Sequence, residues 1–280
     1  MFDPRITPAR PDLAAKHLEG QVAAERYVEG VLREVVEAQA PLRRTPEPDA
    51  PLDTEALRGE RVTIYEEDGE GWCWGQLLSD GYVGWLPQQA LAPPGPDPTH
   101  RVAALRTFVF PGPSIKLPPV TALSLGSRVA VARLDRGFAW LAAGGCVPAQ
   151  HLAPADTSEP DFVSVAERFV GVPYLWGGKT SLGLDCSGLV QVSLNAAGIA
   201  CPRDSDMQER ALGAPLGTGE ATAFQRGDLI FWKGHVAIVR DADTLVHANA
   251  FQMAVVIEPI AEAVRRIAAA GSAVTSARRR

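Results

Sequence analysis

The chain has 280 residues, 46% hydrophobic and 21% charged, enough to bury a sizeable core and to build two or three small domains. A formal net charge of −6 supplies no broad basic surface, so nucleic acid is not an expected partner, and the terminal Arg278, Arg279 and Arg280 read as a solvated end. No apolar run is long enough to span a bilayer, so no membrane partner is expected either.

The opening MFDPRITPARPDLAAKHLEG has an acid and prolines where an export signal needs a basic start and an unbroken apolar run. Cytoplasm is therefore the expected compartment. Within residues 1–36, LAAKHLEGQVAAERYVEG fits either a short helix or an extra strand. A faint repeat follows, in which LRGERVTIYEEDGEGWCWGQLLSDGYVGWLPQQALAP matches, with gaps, LSLGSRVAVARLDRGFAWLAAGGCVPAQHLAP. Each copy has an alternating strand (Val62, Ile64; Val129, Val131), a turn, an aromatic strand (Trp72, Trp74; Phe138, Trp140) and a closing segment ending in Pro. This grammar predicts two small SH3-like β-barrels, residues 37–93 and 98–154. Trp72, Trp74, Trp85 and Trp140 are expected in barrel core or rim rather than as ligand readers. APPGPDPTH separates the copies, and APADTSEPD links them to the next module.

That module, residues 160–280, starts with apolar residues at helical spacing in DFVSVAERFVGV, with Asp161 or Ser158 available as its cap. A tight PYLWGG loop follows, then a helix from Cys186 through SGLVQVSLNAAGI that ends at Gly198. Strands are predicted at Leu229 to Trp232, His235 to Val239 and Thr244 to His247, before a helix around IAEAVRRIAAA and a last strand, AVTSA. Helices followed by antiparallel strands make the module α+β.

A cysteine peptidase needs a thiolate, an imidazole that exchanges protons with it, and a polar group that orients the imidazole. In GLDCSGLV, Cys186 opens the predicted helix, whose unpaired N–H groups favour the thiolate. His235 and His247 lie on neighbouring strands that can present both rings on one side of the sheet. Of the other cysteines, Cys73, Cys146 and Cys201 show no CxxC spacing, and no carboxylate recurs at ligand spacing, so neither a metal nor a disulfide framework is expected. On residues alone, a nucleophilic cysteine and an inert buried one stand about level.

GVPYLWGGKTSLGLDCSGLVQ, RGDLIFWKGHVAIV and LVHANA resemble the NlpC family of bacterial cell-wall cysteine peptidases over about residues 160–280. The upstream pair resembles the bacterial SH3-like domains that precede this module in enzymes processing murein peptides. The resemblance implies a papain-like cysteine peptidase domain preceded by two small SH3-like β-barrels, with no cofactor. It makes Cys186 the nucleophile, His235 the general base and acid, and His247 the residue that orients His235. Tyr174 matches a family tyrosine whose hydroxyl helps to stabilise the oxyanion, with a packed aromatic as the alternative. The resemblance further implies that Asp185 binds the free ammonium of an N-terminal L-Ala, that Tyr82 of the first barrel walls the site, and that Trp176, Ser187 and Ser205 line it. The competing readings make Asp185 the N-cap of the catalytic helix and Tyr82 ordinary barrel surface.

The implied activity is a γ-D-glutamyl-L-diamino-acid endopeptidase. Its substrate would be free murein stem peptides carrying an unblocked L-Ala and usually meso-diaminopimelate, and the enzyme would act as a monomer in cell-wall peptide recycling. Two rivals remain at this level: an exported hydrolase of intact peptidoglycan with wall-binding SH3-like domains, and a non-catalytic peptide-binding relative.

Overall fold

In the computed structural model, which describes residues 2–217 and 223–280, the alternating apolar residues of RVTIYEE and WCWGQL build the middle of a seven-stranded antiparallel sheet. Its strand order is Leu52–Leu57, Gln39–Arg43, Val83–Pro87, Trp72–Leu77, Arg61–Glu67, Val31–Val35 and Leu91–Ala92. Side chains alternate between the two faces of a strand, so Val62, Ile64, Cys73, Leu77 and Leu86 meet in one core with Ala40, Leu42 and Tyr82. Burial pushes the Cys73 thiol up to about 11, which leaves it a packed hydrophobe. Val31–Val35 pairs with Arg61–Glu67, so this sheet begins ahead of the expected boundary at residue 37.

The stretch LAAKHLEGQVAAERYVEG makes two short parallel strands, Leu13–Ala15 and Arg26–Val28, with one 3-10 turn at Lys16–Leu18 between them. Leu13 then packs with Trp74, Val83 and Trp85. The Arg10 guanidinium lies 4.4 Å and 5.2 Å from the Trp74 and Trp85 ring centroids. Those indoles are core, as their size predicts.

Residues 100–154 form three small antiparallel sheets, and Val102, Val109, Leu123, Val129, Ala139, Leu141 and Val147 make up a separate core. The chain divides into two compact units, Met1–Asp156 and Thr157–Arg280.

In the second unit, Asp161 caps α1 (Phe162–Glu167) by accepting the Val163 N–H at 2.9 Å. Next come α2 (Cys186–Ala196) and α3 (Ser205–Ala211), then six strands: β1 (Ala214–Leu216), β2 (Leu229–Trp232), β3 (His235–Val239), β4 (Thr244–Asn249), β5 (Ala254–Pro259) and β6 (Val274–Arg279). Helix α4 (Ile260–Ala269) lies between β5 and β6 in the chain. The sheet order is β1-β6-β2-β3-β4-β5, with every pair antiparallel. Ile230, Ala237, Val239 and Leu245 bury one face of it with Ile260 and Ala263 of α4. Each of the larger of these side chains contributes roughly 2 kcal/mol. Helix α2 is buried nearly all round and packs against α1, β3 and β4. Helix α3 and strands β1 and β5 were not expected from the sequence.

Candidate active site

The start of α2 is held by Asp185, whose backbone is extended and whose side chain faces inward. Its Oδ1 accepts the Gly188 N–H at 2.6 Å, and its Oδ2 accepts the Gly177 N–H at 2.9 Å. Arg203 adds a bidentate pair, Nη1 to Oδ1 at 3.0 Å and Nη2 to Oδ2 at 2.7 Å. The Arg203 side chain is 1% exposed and also donates to Ser187 Oγ at 2.9 Å, while Ser187 Oγ donates to Asp185 Oδ1 at 3.3 Å. Gly188 allows this packing, because a Cβ there would lie 2.2 Å from Gly178 O. Protein donors therefore occupy both carboxylate oxygens.

Asp185 is the N-cap and ion-pair anchor of α2, bonded to Gly177, Gly188, Ser187 and Arg203. Ser187 turns its hydroxyl toward Asp185 and Arg203 and so supports the helix start. Trp176 is 66% exposed on the PYLWGG loop. Ser205 is half-buried as the first residue of α3. Tyr82 belongs to the other unit, in whose core it packs.

The two histidines meet. His235 Nε2 lies 2.8 Å from His247 Nδ1, with the rings inclined at 60°. Register explains the meeting: Val239 pairs with Leu245, and side chains two apart share a face, so His235 and His247 both point to one side of the sheet. Cys186 is the first residue of α2. Its Sγ donates weakly to Gly234 O at 3.9 Å, and the Val236 N–H points toward it, so the thiol sits beside the backbone on both sides of His235. Tyr174 lies close enough for the charges at Cys186 and Asp185 to matter. Burial first, then those two groups, raise its phenol, which stays protonated as a donor. Its backbone N–H donates to Met253 O at 2.9 Å, which ties the PYLWGG loop to the turn before β5.

The buried surroundings of Cys186 act against the thiolate. Burial first, and Asp185 second, push Cys186 up to about 12, outweighing the Val236 and Ser187 N–H groups that favour the anion. Burial first, then His247 and Arg266, push His235 down to about 3. Both shifts run toward a neutral thiol and a neutral imidazole.

This has a consequence for stability. His235 stays neutral in the fold but gains a proton in the unfolded chain below about 6.5. Its contribution is therefore present above pH ~6.5 and is lost as pH falls from there toward 3. The unfolding free energy of the wild type from urea titrations is expected to drop by at most about 1.4 kcal/mol per pH unit in this window, an upper bound because His235 is partly exposed. In His235→Asn the slope should shrink, and equal slopes in the two proteins would remove His235 from the titration.

Sequence reasoning missed four residues that complete the site. Arg203 holds Asp185. Glu258 Oε1 lies 2.6 Å from His247 Nε2 and pairs with Arg266. Asn249 Nδ2 lies 2.9 Å from the same His247 nitrogen. Among the described residues no group of three or more His, Cys, Asp or Glu side chains is placed to hold a metal ion.

Residues 171–268 match the NlpC/P60 family, and residues 42–91 match the bacterial dipeptidyl-peptidase SH3 domain. The chain carries an NlpC/P60 domain behind a bacterial SH3 domain. Among curated proteins, the gamma-D-glutamyl-L-lysine dipeptidyl-peptidase of Bacillus cereus is 28% identical over 75% of this chain and 71% of its own length. The protein of the same name from Bacillus subtilis is 30% identical over 66% of this chain and 65% of its length. Dipeptidyl-peptidase 6 of Lysinibacillus sphaericus is 35% identical over 36% of each chain, so only about a third of that relative is spanned. Among solved structures, an NlpC/P60 family protein from Bacillus cereus superposes with a TM-score of 0.74 at 22% identity, over 89% of this chain and 99% of that one. That likeness establishes the fold. The NlpC/P60 match includes Tyr174, Cys186, His235, His247 and Glu258.

Proposed function

We propose that the chain is a cysteine peptidase that hydrolyses the bond between γ-D-glutamate and an L-diamino acid, such as meso-diaminopimelate, in free murein stem peptides with an unblocked N-terminal L-Ala. It acts as a monomer in the cytoplasm, in cell-wall peptide recycling, and residues 98–154 are a second SH3-like barrel. The observation that carries this reading is the array of Cys186, His235 and His247 inside the NlpC/P60 match. The names of the Bacillus relatives support the γ-D-glutamyl bond and, through the word dipeptidyl, a free N-terminus. The scattered spacing of Cys73, Cys146, Cys186 and Cys201, without CxxC pairs, suits a reducing compartment.

In this mechanism the Cys186 thiol gives its proton to His235 as sulfur bonds to the γ-carbonyl carbon. The oxyanion is met by the Cys186 backbone N–H and the Tyr174 hydroxyl. Collapse breaks the C–N bond while His235 returns the proton to the departing amine. Water then gives a proton to His235 and attacks the thioester, which releases the dipeptide and restores the thiol. Asp185 is the proposed partner of the substrate ammonium, and Trp176, Ser187 and Ser205 are the proposed walls of the peptide site.

The test compares L-Ala-γ-D-Glu-meso-diaminopimelate with its N-acetylated form and with the L-lysine analogue, by mass spectrometry. Acetylation is expected to lower kcat/KM by about 10²-fold or more, because the groups that receive the ammonium would be left unpaired. Equal cleavage of both forms would refute the free-amine requirement. Digestion of intact sacculi as fast as free tripeptide would favour the wall hydrolase instead.

A further inference from the structure

We propose that Glu258, held by Arg266, is a positioning residue that sets which ring nitrogen of both His247 and His235 carries the proton, so that His235 offers a bare Nδ1 to Cys186. This rests on the cysteine peptidase reading above.

His247 pairs with Val256 and Leu245 with Glu258, so Glu258 shares a face with His247 one diagonal step away. Helix α4 follows at once and returns Arg266 to Glu258 Oε1, with the guanidinium 4.7 Å from the Phe251 ring centroid. A carboxylate paired with an arginine is ionised and can only accept. His247 is 1% exposed, so each of its ring nitrogens needs a partner inside the protein.

At Nε2 two neighbours compete. Glu258 Oε1 at 2.6 Å asks for a proton on the ring, whereas the Asn249 amide at 2.9 Å would donate to a bare nitrogen. The Asn249 orientation is set by its Oδ1, which accepts the Gln252 N–H at 2.8 Å. A charge-assisted bond is about twice as strong as a neutral one, and a bare Nε2 would face the anion lone pair to lone pair. The carboxylate wins, and Nε2 of His247 carries the proton.

The rest follows along the chain of bonds. In neutral His247, Nδ1 is then an acceptor, and its partner 2.8 Å away, His235 Nε2, must be the donor. In neutral His235 that leaves Nδ1 bare, on the side of the ring nearest its own backbone, where Cys186 Sγ lies against Gly234 and Val236. When His235 takes the thiol proton, its Nε2–H stays bonded to His247 and the Glu258 charge lies one ring beyond.

The experiment uses the full-length chain. In Cys186→Ala protein labelled with ¹⁵N in the histidine rings, NMR near pH 7 is expected to show both His247 and His235 with the proton on Nε2. A proton on His247 Nδ1, alone or together with one on Nε2, overturns the proposal even if no Glu258 variant folds. In Glu258→Gln the side-chain amide can donate to Nε2 and reverse both tautomers, so kcat should fall by about 10²-fold or more with KM within about 3-fold.

The acid limb of kcat/KM reports the charged and titratable groups that act on His235, namely His247 on β4, Glu258 on β5 and Arg266 on α4. Loss of the carboxylate should move that limb to lower pH, and Glu258→Asp should restore part of the rate. A Glu258→Gln enzyme with unchanged kcat and pH profile would refute the inference alone. A Cys186→Ala enzyme that still turned over would refute the peptidase reading beneath it.

Discussion

Exchange of Cys186 for alanine is expected to lower kcat on the free tripeptide by about 10⁴-fold or more while leaving the fold in place. The size follows from the site, in which the thiol is the attacking atom and no second nucleophile is offered beside His235 in the described neighbourhood. The stability cost should be small, because the side chain is small and its hydrogen bond to Gly234 O is weak. Circular dichroism and urea midpoints should match the wild type within about 1 kcal/mol. Turnover at the wild-type rate would mean that Cys186 is an ordinary core thiol, like Cys73.

The second large effect is on stability. Arg203→Met leaves the Asp185 carboxylate buried with only neutral donors, and the NlpC/P60 unit is expected to lose about 3–5 kcal/mol. No discount for solvent is needed, since the two side chains are 1% and 11% exposed. Asp185→Asn combined with Arg203→Met should recover part of the loss, because both charges are then gone. The readout is the urea midpoint of the unit that contains α2, since two compact units need not unfold as one transition. A loss below about 1 kcal/mol in the single variant would show that Gly177 and Gly188 hold Asp185 without help.

The start of α2, the two histidine strands and the order of helices before sheet were legible because each is written in local pattern. Cys186 follows a capping residue at the head of an apolar run, and His235 and His247 open or lie within short β-rich segments. Helix α3 was not legible. Only Met207 and Gln208 of its seven residues are buried, so it presents no apolar stripe. The short parallel pair near the N-terminus escaped for a similar reason, since three-residue strands carry too little alternation to separate them from a helix.

By itself the sequence determined which residues could carry the chemistry, because helix starts and strand alternation depend on neighbours within a few positions. It left Asp185 between a cap and an ammonium reader, since adjacency to Cys186 serves either role. Tertiary structure supplied the partners of the cap, placing a buried guanidinium 2.7 Å from Asp185 Oδ2, against the usual preference of arginine for the surface. It likewise brought Glu258, eleven residues beyond His247, back to that ring through the register of β4 with β5. Such partners are chosen by packing and by the demand that every buried charge be met, and both are properties of the assembled fold.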